Sequence, residues 1–107
     1  MKTFKKYQEW TKKTALYDNP VIYPCLELGA EVGEAFNQIK KIYRDDNGIV
    51  SHVRKYDLEK ELGDCMWALA RLADDLDLDL EQIVELNIAK LEDRLARGKI
   101  RGSGDNR

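Results

Sequence analysis

Residues 24–43, PCLELGAEVGEAFNQIKKIY, decide the fold. Leu28, Val32, Ala35, Ile39 and Ile42 recur in steps of three and four, the period of one face of an α-helix. Pro24 suits a first helical turn, and the polar run Asp45-Asp46-Asn47-Gly48 stops the pattern, so the stretch predicts a helix from about Pro24 to Tyr43. Glu27, Glu31 and Glu34 stand at i, i+4 and i+7 of the same helix, which stacks three like charges on one face. At about 100° per residue, Glu31 falls on the edge of the apolar stripe and Glu34 further round.

Downstream, Leu58, Leu62, Cys65, Leu69, Leu72 and Leu76 mark a helix over roughly Asp57–Asp77, with Glu61 and Asp64 at i, i+3 on its flank. A loop carrying His52 and running to about Lys55 joins the two. Asp79 followed by Gln82 has the form of a capping box and opens a further helix that ends before Gly98. Its stripe is Leu80, Ile83, Val84, Leu91 and Leu95, with Asn87 in the middle as an amide that needs partners if buried. Upstream, a helix over about Thr3–Leu16 is stopped by Tyr17-Asp18-Asn19-Pro20. With two prolines and few β-branched residues, the chain reads as all-α, a four-helix bundle without internal repeats. Residues 1–97 form the helical domain, and residues 98–107, GKIRGSGDNR, form a basic glycine-rich tail.

The 107 residues make one domain, and a chain of that size buries only about 60–70% of its unfolded surface, which favours pairing with a second copy. Eighteen bases nearly cancel twenty acids, so no net field points to a nucleic acid or a membrane. No apolar run approaches the roughly 18 residues of a membrane span, and Met1-Lys2-Thr3-Phe4-Lys5-Lys6 lacks the core of a signal peptide. The expectation is a soluble cytoplasmic protein. Cys25 and Cys65, far apart and among apolar neighbours, are expected to be reduced and structural.

Two neighbouring helices thus each carry a carboxylate pair beside the core. Packed antiparallel, the pairs face each other, and such a cluster is strongly repulsive without cations. Oxygen donors suit Mg²⁺, Mn²⁺ or Ca²⁺, whereas zinc and redox iron recruit His or Cys; the one histidine lies in the loop, which argues against a di-iron bundle. A lone Glu-x-x-Glu pair is ordinary on a solvated face, but two on adjacent core edges are less so. On the last helix Lys90 and Arg94 follow Asn87 at i+3 and i+7, and Arg97, Lys99 and Arg101 extend the positive charge. Such a line suits a polyphosphate, although cations also favour any helix C-terminus.

These residues carry a family resemblance. Glu31-Val32-Gly33-Glu34, Glu61-Leu62-Gly63-Asp64 and Asn87-Ile88-Ala89-Lys90 form in order an ExxE, ExxD, NxxK pattern, and the chain resembles the MazG-like nucleotide pyrophosphohydrolases of the all-α NTP pyrophosphatase group. Tyr7-Gln8-Glu9-Trp10, Thr14-Ala15 and the ending from Arg97 to Arg107 also look like the short stand-alone members. The resemblance implies Mg²⁺, or Mn²⁺ in its place, on Glu31, Glu34, Glu61 and Asp64, with Asn87 and Lys90 on phosphate or sugar. It also implies phosphate contacts from Arg94, Arg97 and Arg101, and a dimer or tetramer with sites near subunit interfaces.

The function expected is hydrolysis of a nucleoside triphosphate to the monophosphate and pyrophosphate, serving nucleotide-pool control or house-cleaning. Water attacks the α-phosphorus in line, Mg²⁺ lowers its pKa, and Glu34 or Glu27 takes the proton. Gln8 is a candidate reader of a base edge, and Tyr7, Trp10, Tyr17, Tyr23 and Trp67 are available for stacking, although helical aromatics more often serve the core. The tail is a candidate active-site lid. The alternatives are a non-catalytic helical oligomerisation or regulatory module and a phosphohydrolase that releases single phosphates.

Overall fold

The computed structural model describes residues 3–107. It contains α1 (Phe4–Thr11), a 3₁₀ turn (Lys12–Thr14), α2 (Ile22–Asp45), α3 (His52–Asp75) and α4 (Leu80–Ala96), with no strand among the described residues. The all-helical architecture expected from the periodicity is therefore the one observed.

Local chemistry sets the ends. Thr3 caps α1 by accepting the Lys6 N–H at 3.1 Å. α1 stops well before Leu16, because Thr11 and Thr14 turn their hydroxyls back onto the carbonyls of Gln8 and Thr11, and the last turn tightens to 3₁₀. α2 starts two residues ahead of Pro24, behind a γ-turn at Val21 (φ 68°, ψ −57°) closed by Ile22 N–H to Pro20 O at 2.7 Å. It ends at Asp45, where Asn47 and Gly48 take positive φ and the Gly48 N–H returns to Ile42 O at 3.1 Å. A Cβ on Gly48 would press the Tyr43 ring at 3.1 Å.

α3 starts five residues ahead of the Asp57 start expected from its apolar period. Ser51 accepts the Arg54 N–H at 3.2 Å and caps the helix at His52, so the histidine sits in a first turn rather than a loop. The connector shrinks accordingly to residues 46–51, which folds α2 and α3 into an antiparallel hairpin. Arg54 with Asp46 (2.8 Å) fixes the tip, and Val21 N–H with Asp75 (3.0 Å) fixes the far end. Asp79 caps α4 as expected, accepting the Glu81 N–H at 2.9 Å. Gln8 of α1 accepts a further first-turn donor, the Leu80 N–H, at 2.8 Å.

The buried apolar core is small: Pro24, Ile42, Ala68, Ala70, Ala73 and Leu80. Arg71, 5% exposed, binds it to the N-terminal segment, donating to Tyr17, Thr11, Asp74 and Asp75. The predicted stripes are only partly covered. Val32 and Ile39 on α2, Leu62 and Leu69 on α3, Leu76 just past its end, and Ile83, Leu91 and Leu95 on α4 are all exposed, as is Cys25, which is expected among apolar neighbours. The reason is shape. The radius of gyration is 16.7 Å, against roughly 13 Å for a compact chain of this length, because α4 stands away from the hairpin beyond its first turns. No helix among the described residues is long and apolar enough to cross a membrane.

Candidate active site

The hairpin register places Glu31 of α2 opposite Glu61 and Asp64 of α3. One carboxylate oxygen from each lies within 4.8 Å of the other two. Glu31 and Glu61 are half-buried and Asp64 is exposed, so the trio opens to solvent on one side. Burial first, then a hydrogen bond with Glu27, the charge of Asp64 and a hydrogen bond with Glu61, push the Glu31 carboxyl up to about 7. Below about pH 7 the cluster thus retains a proton that relieves its repulsion. A hard divalent cation can replace that proton, and three converging carboxylate oxygens suit an ion whose ligands sit at about 2.1 Å.

Of the two candidate proton acceptors, Glu27 is the one joined to this cluster, through its hydrogen bond with Glu31. Glu34 is exposed and lies outside the trio, since three residues along α2 rotate it by about 60° from Glu31. Spacing alone groups all three glutamates and does not say which of them α3 faces.

Aromatic rings flank the carboxylates on two sides. Tyr7 stacks with Trp10 at 6.2 Å, and burial followed by the charge of Asp64 pushes the Tyr7 phenol up. Glu27 pushes the nearby Tyr23 phenol up, Tyr23 stacks on Tyr17 at 5.0 Å, and Tyr17 meets the edge of Trp67 at 6.2 Å. Trp67 also donates to Thr14 at 2.7 Å. Cys65 lies beside the trio, its thiol pushed up by burial and then by the charges of Glu31, Asp64 and Glu61.

Gln8 lies elsewhere. It is 8% exposed, its amide nitrogen donates to Leu78 O (2.8 Å) and Asp74 (3.2 Å), and its oxygen receives the Leu80 N–H. Asp74 is ten residues along α3 from Asp64, or about 15 Å of helical rise. The amide expected at a base edge is committed to the joint between α1, α3 and α4.

On α4 the expected buried amide is exposed: Asn87 and Lys90 share a shallow hollow with Ile83 and Leu86, and no residue of α2 or α3 lines it. The groups that raise the Glu31 carboxyl, Glu27, Asp64 and Glu61, all sit on α2 and α3. Lys90, Arg94 and Arg97 gather instead under the tail. Lys90 pairs with Asp105 at 2.9 Å, the buried Arg94 contacts the Asp105 carboxylate and carbonyl, and Arg97 binds Asp93 (2.8 Å) and the Arg107 carbonyl (2.6 Å). Arg101 is exposed in the tail. One chain therefore holds an acidic cluster and a cationic cluster in separate places. Arg71 and Asp105 join these clusters unannounced by any motif; Arg71 carries a sequence signal in its i+3 and i+4 partners Asp74 and Asp75, whereas Asp105 stands masked among cations.

The chain matches the MazG nucleotide pyrophosphohydrolase domain over residues 25–97, which includes the three acidic and amide motifs. The Gene 37 protein of Mycobacterium phage L5 is similar, 40% identical over 109 aligned residues that cover 94% of this chain and 96% of that protein. No solved structure matches the chain significantly.

Proposed function

The chain belongs to the MazG nucleotide pyrophosphohydrolase family, and from that premise we propose that it hydrolyses a nucleoside triphosphate, ribo or deoxy, to the monophosphate and pyrophosphate with Mg²⁺ or Mn²⁺. The observation that carries the reading is the convergence of Glu31, Glu61 and Asp64 within 4.8 Å on the hairpin. A divalent ion held there supplies charge neutralisation to the phosphate oxygens and makes water more acidic.

The chain's own residues do the rest. Glu27, beside Tyr23 and Glu31, takes the proton of the attacking water. The water oxygen bonds to the α-phosphorus as the bond to the α–β bridging oxygen breaks, and that oxygen leaves with the electron pair on pyrophosphate. Glu34 completes the acidic set from the rim. The Tyr7–Trp10 ledge beside Asp64 offers the base a stacking surface.

Lys90, Arg94, Arg97 and Arg101 hold the β- and γ-phosphates electrostatically, with Asn87 on phosphate or sugar. Two copies assemble to bring α4 of one to the carboxylates of the other, and in doing so cover apolar residues such as Leu69, Leu76 and Ile83 that one chain leaves exposed.

The test is a panel of NTPs and dNTPs incubated with the protein and Mg²⁺ or Mn²⁺, with products resolved by ion exchange. Monophosphate with pyrophosphate is the expected pair. Diphosphate with phosphate, or no turnover of any substrate with either metal, overturns the reading.

A further inference from the structure

The C-terminal tail folds into a small closed unit. Gly98, Gly102 and Gly104 all take positive φ, conformations that cost glycine least. The Arg107 guanidinium, at the other end of the same stretch, donates to the carbonyls of Lys99 (3.0 Å), Ile100 (3.0 Å) and Gly104 (2.7 Å). The fold of the tail delivers a single carboxylate, Asp105, to α4. Its Oδ1 lies 2.9 Å from Lys90 Nζ and 3.3 Å from Arg94 Nη2.

The two partners differ in a telling way. The Arg94 side chain is 7% exposed, so its charge requires an anion nearby, while the Asp105 side chain is 78% exposed and bears only on these cations. An exposed single carboxylate is weakly held, and a polyanion reaching both cations outcompetes it.

The geometry points to Asp105 as an internal substitute for phosphate, a carboxylate that occupies Lys90 and Arg94 until the polyphosphate of a nucleotide displaces it and releases the tail. This rests on the phosphate role given to those two cations above. Displacement conserves charge at the buried guanidinium, so Arg94 is never left without an anion. It also couples substrate binding to release of the tail, because Arg107, Gly104 and Asp105 belong to one unit.

The test is binding of pyrophosphate, measured calorimetrically without divalent cations so that the carboxylate trio contributes nothing. Asp105→Asn should bind pyrophosphate about threefold tighter than the unaltered protein, the scale of one exposed ion pair. Glu92→Gln, which removes the same charge from an exposed site on α4 that touches neither cation, should change nothing. Circular dichroism confirms that both variants keep their helices.

Affinity that is unchanged or weaker in Asp105→Asn overturns the proposal, as does an equal gain in Glu92→Gln or the absence of binding to all three proteins at millimolar pyrophosphate. The substrate panel is read separately. Normal turnover with unchanged pyrophosphate affinity removes the clamp and leaves the hydrolase reading standing, whereas loss of turnover in the unaltered protein removes the hydrolase reading whatever the calorimetry gives.

Discussion

At the scale of single residues, the site is a balance between repulsion and a shared proton. Glu61→Gln removes one charge from the trio, so turnover should fall at least about 100-fold while the metal-free protein melts higher, because Glu31 loses an unfavourable neighbour. Unaltered turnover would take Glu61 out of the site. The proton on Glu31 sets a pH dependence. Its folded-state value of about 7 lies above the ordinary 4.5, so the folded chain binds that proton more tightly than the unfolded chain. The metal-free protein should therefore lose stability as pH rises from about 4.5 to about 7, and the full penalty persists above that. Mg²⁺ needs the deprotonated form, so the melting-temperature gain it gives should be small near pH 5.5 and large near pH 8, read by paired thermal melts. A gain independent of pH would contradict this account. The acidic pairs themselves were legible because i, i+3 and i+4 neighbours share a helix face wherever the helix goes. That Glu27 rather than Glu34 joins Glu31 was not, because it depends on where α3 lies.

At the scale of elements, the joints are polar and specific. Gln8 makes three hydrogen bonds across 66 to 72 residues of chain, and one of them satisfies the first amide of α4. Gln8→Ala leaves the buried Leu80 N–H without that acceptor and should cost about 1–3 kcal/mol in urea unfolding, with KM for the triphosphate little changed. A reader of the base would show the opposite pattern, an altered KM at constant stability. The helices were legible as periods of apolar residues, but their ends followed turn chemistry that the period does not register. Ser51 drew the start of α3 forward to His52, and the hydroxyls of Thr11 and Thr14 closed α1 early.

At the scale of the whole molecule, one chain is an open arrangement of 43 × 40 × 26 Å whose apolar stripes are only partly covered. A core limited to Pro24, Ile42, Leu80 and three alanines leaves the helices short of partners, which a second copy would supply under the proposed function. Sedimentation should show an assembly of at least two copies. Leu69→Glu, on an exposed position of α3, should shift it to the single chain and reduce turnover while retaining helical content; an active single chain would show that the site needs no second copy.

The all-α class, the order of the four helices and the identity of the acidic motifs were determined by the sequence, because helical periodicity is a local property that a linear reading captures. Which carboxylates meet, where Gln8 and Asp105 spend their hydrogen bonds, and how far α4 stands from the hairpin were decided only by tertiary structure. Each depends on residues brought together from distant parts of the chain, and the register that aligns them comes from caps and connectors rather than from the pattern within any one helix.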